Sequence, residues 1–120
     1  MALPSLPAGV TRKALKAFVR AGLARAGYGG IALARAISDY AIVRVTDPTS
    51  GESRLEGFVR ISPARAGIAA IEALRGLDLL GHPVQVQRYS HRAEFGVDGG
   101  LKVLGRDGGG GHLRFDLVDD

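Results

Sequence analysis

The sequence predicts a single α+β domain, and three observations predict it. Residues 53–61 alternate strictly between the two faces of a strand directly after a turn. Two segments, one from residue 12 and one from residue 63, repeat apolar residues at helical spacing. Short extended runs precede, separate and follow those helices. With 120 residues, 46% of them hydrophobic, the chain can build one core.

The elements follow in order. Met1-Ala2-Leu3-Pro4-Ser5-Leu6 is a short first strand broken by Pro4, which cannot donate to a ladder. Either this strand is vestigial or another segment takes its place. Thr11 is suited to cap a first helix. Its Leu15, Phe18, Val19 and Leu23 should face the sheet, with Arg12, Lys13, Lys16 and Arg20 mostly opposite. Arg12 and Lys13 fall in the first turn, where the macrodipole disfavours each positive charge by about 0.3–1 kcal/mol. Gly27, Gly29 and Gly30 then break the helix. The stretch from Ile31 to Ile37 is compatible with a short helix or an added strand, and its alanines favour the helix.

Tyr40 to Thr46 reads as the second strand, with Ala41, Val43 and Val45 towards the helices and Tyr40, Ile42 and Arg44 on the open face. Asp47-Pro48 opens a turn in which Gly51 tolerates positive φ. In the third strand Leu55, Gly57, Val59 and Ile61 share the core face. Arg54, Glu56, Phe58 and Arg60 share the other, which leaves Phe58 exposed between two arginines. A second helix starts at Ser62 with Pro63 at its first position. Ala66, Ala70, Ile71 and Leu74 form its buried stripe, and Gly76 suits the position after its cap.

Pro83 to Tyr89 is a fourth strand, with Val84 and Val86 inward and Gln85, Gln87 and Tyr89 on the open face. Further on, residues 94–97 and 101–104 flank Asp98-Gly99-Gly100 as a hairpin. Residues 105–111 form a looser Gly-rich turn, and Leu113, Phe115 and Leu117 alternate on one face. These suggest an appended β meander. A flexible Gly-rich tail is the competing reading, and the alternation favours structure.

The net charge of +4 is unevenly distributed. Residues 1–38 contain no Asp or Glu but do contain Arg12, Lys13, Lys16, Arg20, Arg25 and Arg35. Such a face attracts a polyanion, so Arg12, Lys13, Lys16 and Arg20 are candidates for a secondary basic surface. There is no cysteine, so disulfides, thiolate nucleophiles and Cys-based metal sites are excluded. No apolar run is long enough to span a membrane, and no signal-peptide pattern is visible, so a cytoplasmic protein is expected. The glycines at 105–111 lack the G-K-[ST] of a phosphate-binding loop. His82, His91 and His112 are isolated, no serine lies in a nucleophile elbow, and the only paired carboxylates are Asp119-Asp120. The expectation is therefore no enzyme, no metal and no cofactor.

The stretch from Asp47 to Ile61 resembles the central hairpin and RNP1 strand of the RNA recognition motif family. Arg54, Gly57, Phe58 and Val59 match the RNP1 pattern, and Leu55, Glu56 and Ile61 depart from it. Ser62 to Gly76 is similar to the family's second helix, and Leu80 to Val86 to the start of its fourth strand. Leu3 to Thr11 is similar to the end of its first strand and the cap of its first helix. The resemblance runs in order over residues 3–89, with an extra piece at 24–39.

It implies a ferredoxin-like two-layer sandwich over residues 1–90, an antiparallel sheet with two helices on one face, followed by a C-terminal Gly-rich β extension or tail at 91–120. It implies single-stranded RNA bound on the open sheet face. Phe58 would stack a base, with Tyr40 beside it. Arg44, Arg54, Arg60 and Arg88 would contact phosphate or base edges, and Gln85 and Gln87 would read bases. The first strand lacks the family's usual aromatic, and Glu56 places a carboxylate where phosphate would lie. Both features fit an alternative, a degenerate member that binds protein instead. An acylphosphatase-type enzyme could share the layout, but its chemistry needs an asparagine, and the chain has none.

Overall fold

The computed structural model describes residues 1–88, 93–95, 101–103 and 114–118. Their architecture is α+β, with an antiparallel four-stranded sheet and three helices in a ferredoxin-like arrangement. The sheet contains β1 (Ala2–Leu6), β2 (Ile37–Thr46), β3 (Ser53–Ile61) and, from the far end of the chain, Arg114–Val118. Its spatial order is β1, β3, β2, Arg114–Val118. The helices are α1 (Arg12–Arg25), α2 (Gly30–Ala36) and α3 (Ala64–Leu74). Two short hairpins complete the set. β4 (Asp78–Leu79) pairs with β5 (His82–Pro83), and β6 (Ala93–Phe95) pairs with β7 (Leu101–Val103). The strand Arg114–Val118 is therefore β8.

β1 forms despite Pro4. It pairs with β3 at Ala2, Leu3 and Leu6, and the register shifts between Leu3 and Leu6. The irregularity spans Pro4, so no regular ladder bond is required of the missing N–H. On the outer side of β1, the backbone of Gln87 exchanges both hydrogen bonds with Ala2, at 2.7 and 2.8 Å. The segment expected as a continuous strand from Pro83 to Tyr89 is thus irregular. Pro83 ends the β4–β5 hairpin, whose turn residues Leu80 and Gly81 both adopt positive φ. A single bridge at Gln87 then joins the segment to β1. Tyr89 lies outside the described residues, as do the turn at 105–111 and the histidines at 91 and 112.

The Thr11 hydroxyl caps α1 by accepting from the Ala14 N–H at 3.1 Å. α1 buries Leu15, Phe18, Val19, Gly22 and Leu23, and α3 buries Ala66, Ala70, Ile71 and Leu74, so both helical stripes lie where the periodicity puts them. Pro63 is the cap of α3 rather than its first helical residue, and Gly76 at φ +86° follows the Arg75 cap. The two helices meet at Gly22, where a Cβ would lie 2.5 Å from Leu74 Cδ2. Both pack on one face of the sheet, in a core with Leu3, Leu6, Ile42 and Val59. The segment after α1 forms a helix, α2, of seven residues.

Candidate nucleic-acid interface

The turn that launches β3 is built from local side-chain and backbone hydrogen bonds. The Asp47 carboxylate accepts from the Thr49 N–H at 2.9 Å, the Gly51 N–H donates to the Asp47 carbonyl at 2.7 Å, and Gly51 adopts φ +75°. β3 then carries the alternation intact. Val59 lies in the helix-side core, Leu55 and Ile61 pack against it, and Gly57 brings its backbone against Leu6 and Leu15. Arg54, Glu56, Phe58 and Arg60 occupy the opposite face.

That face differs from the expectation at its centre. Phe58 lies on it but is only 4% exposed, packed with Ala2, Val43 and Val45 and flanked by Phe115 of β8. The ring expected to be open for stacking is buried, because apolar side chains from β1, β2 and β8 surround it. Ala2, paired directly with Phe58, occupies the neighbouring place on β1, so a second ring is absent there.

β2 has the opposite phase to the one expected. Tyr40, Ile42 and Arg44 pair with Val59, Gly57 and Leu55, so they share the helix side. Ala41, Val43 and Val45 pair with Phe58, Glu56 and Arg54 on the other side. Tyr40 and Arg44 are therefore separated from Phe58 by the sheet itself. The physical reason is that apolar residues occupy both faces of β2 and its Arg44 falls on the helix side, so alternation does not say which face is which, and a one-residue change of phase moves every side chain. A register shift between Ile37 and Asp39 sets the phase.

Around the buried centre lie polar groups. Glu56 is 3% exposed, and its carboxylate accepts from the Arg54 Nε at 3.3 Å. Burial pushes its pKa above the ordinary carboxylate value, and the Arg54 charge and hydrogen bond pull it only partly back. Arg60 sits 3.9 Å from the Asp39 carboxylate. Gln87 shares the Phe58 face through its bridge to Ala2, Gln85 and Arg88 are exposed, and Val84 and Val86 pack inward. Arg88 rims a cavity of about 180 Å³ with Met1, Ile61 and Ile68. Arg54, Phe58, Arg60 and Gln87 thus lie on one face of the sheet, with Gln85 and Arg88 exposed along its β1 edge.

The helix side brings together residues that the sequence reading kept apart. Tyr40 lies under α1, with the Arg12 guanidinium 4.9 Å and the Lys16 ammonium 5.3 Å from its ring centroid. Both distances are in the cation–π range. Lys13 and Arg20 are exposed on the same helix. The available signal was the spacing of Arg12 and Lys16, one helical turn apart, but the phase of β2 was needed to place a ring beneath them.

Fold and site together define a ferredoxin-like α+β domain with a closed apolar patch on one sheet face and a basic helix on the other. No protein-family profile and no solved structure matches the chain. Over 70 residues it is 37% identical to the "Putative RNA-binding protein RbpA" of Nostoc sp., an alignment covering 58% of this chain and 68% of that protein. The chain belongs to the family of that protein.

Proposed function

We propose that the chain is a divergent RNA recognition motif protein that binds single-stranded RNA in the cytoplasm without catalysing a reaction. The observation that supports this most is β3, RNP1-like in sequence and central in the sheet, in a chain whose relative is named for RNA binding. With Phe58 covered, contact falls to the polar groups around it, Arg54, Arg60, Gln85, Gln87 and Arg88. Arginines position the phosphate backbone, and the glutamine amides offer both donors and acceptors to base edges.

A chemical-shift titration of the full chain with pools of short single-stranded RNA tests the reading. Shifts are expected at Gln85, Gln87, Arg88 and the ends of β3, with an affinity that falls steeply between about 50 and 200 mM salt as counterions are released. No shift at any RNA excess, or an affinity flat across that salt range, would reject it. The burial of Phe58 and Glu56 favours a second reading, a protein-interaction module that has closed its stacking surface. Under that reading, RNA leaves the spectrum unchanged.

A further inference from the structure

We infer that α1 carries an RNA phosphate-backbone site distinct from the sheet face, formed by Arg12, Lys16 and Arg20 with Tyr40 as its base and Lys13 at its side. The inference rests on the RNA-binding reading and adds a surface to it.

Three independent features converge here. The first is uncompensated charge. Residues 1–38 contain no Asp or Glu, and the first turn of α1 contains no acid. Ion pairs among the described residues join Arg54 to Glu56, Arg60 to Asp39, Arg75 to Glu72 and Arg114 to Asp116; none uses a cation of α1. On the helix side of the sheet, Asp116 pairs opposite Arg44, and Arg114 Nε engages it at 3.1 Å. The α1 face thus carries cations with no carboxylate of its own.

The second feature is placement. Like charges four residues apart on a helix repel, and cations near its N-terminus oppose the macrodipole. Both effects work against folding, and both favour a bound anion. The third feature is the ring. Arg12 and Lys16 both lie over the Tyr40 ring, whose quadrupole offsets part of their repulsion. The two cations are thus held side by side.

The geometry selects the ligand. Arg12, Lys16 and Arg20 advance along α1 by about 6 Å per step, so the stripe is about 12 Å long. A row of that length suits successive phosphates of an extended strand better than one isolated anion. It offers charge without a base-reading group, so it should bind RNA of any sequence similarly.

The test compares the full-length parent with Arg12→Gln/Lys16→Gln/Arg20→Gln, measuring affinity for a fluorescent single-stranded RNA across salt concentrations. The triple variant should bind more than about tenfold more weakly at low salt. Its slope of log affinity against log salt should be smaller by about two, since each lost contact to a single strand contributes about 0.7. Arg12→Lys/Arg20→Lys, which keeps the charges, should retain the parent slope, and this separates charge from any loss of helix stability. A parent that binds RNA and a triple variant with the same slope would overturn this site while leaving the sheet-face reading intact. A parent that binds no RNA would overturn both.

Discussion

Replacing Phe58 with alanine removes a ring that is 4% exposed and packs against Ala2, Val43, Val45 and Phe115. Buried Phe→Ala changes cost about 3–5 kcal/mol, the lost transfer energy plus the cavity left behind. The lower end applies here, because Phe115 is only partly buried and can relax into the space. An unfolding entropy of about 2.1 cal/mol/K per residue makes 3 kcal/mol a fall in Tm of about 12 °C for a chain of this length. Thermal and denaturant unfolding of parent and variant measure it. RNA affinity, measured well below both transitions, should change little, because a covered ring stacks no base. A fall in Tm of only two or three degrees, together with a loss of RNA affinity worth about 1–3 kcal/mol, would refute this reasoning. That result would mean the ring is open to RNA in solution and the packing around it is not what fixes the fold.

The difference between what could and could not be read from the sequence follows from which faces carry chemical contrast. The phase of β3 was legible because apolar Leu55, Val59 and Ile61 alternate with charged Arg54, Glu56 and Arg60. The stripes of α1 and α3 were legible for the same reason at helical spacing. In β2 the contrast misleads, since Tyr40 and Ile42 are as apolar as Ala41 and Val43 and the charged Arg44 falls on the helix side, so Tyr40 and Arg44 were placed on the wrong side. Alternation also assigns a face without saying what lies on it. Phe58 was correctly placed opposite the helices, but its burial depends on Ala2 and Phe115, from opposite ends of the chain. Likewise, the alternation of Phe115 and Leu117 marked a strand, but not that β8 would pair with β2. The candidate RNA site on the helix side depended on the same unread register. Arg12 and Lys16 were visible as a basic pair, and the ring beneath them was not.

Two further substitutions test the packing and the electrostatics. Gly22→Ala places a Cβ 2.5 Å from Leu74 Cδ2 and 2.6 Å from Leu74 Cγ, and Leu74 is fully buried. Overpacking of about 1–3 kcal/mol should outweigh the roughly 1 kcal/mol of helix propensity gained, so denaturant unfolding should show a net loss; a stabilised variant would mean Leu74 swings aside freely. Glu56→Gln tests the raised pKa of a carboxyl buried under the sheet face. A raised folded-state pKa means the native protein holds this proton more tightly than the unfolded chain does. The charged form therefore costs stability at neutral pH, and that cost fades as pH falls through the raised value towards the ordinary carboxylate range, near about 4.3. The amide cannot titrate, so the variant escapes the pH-dependent cost, in which the Arg54 ion pair is already included. The difference in unfolding free energy, variant minus parent, should therefore climb with pH across that window and level off above it. A flat difference would mean that burial and Arg54 cancel at this position, and one that falls as pH rises would mean that Arg54 outweighs burial and holds Glu56 ionised below its ordinary range.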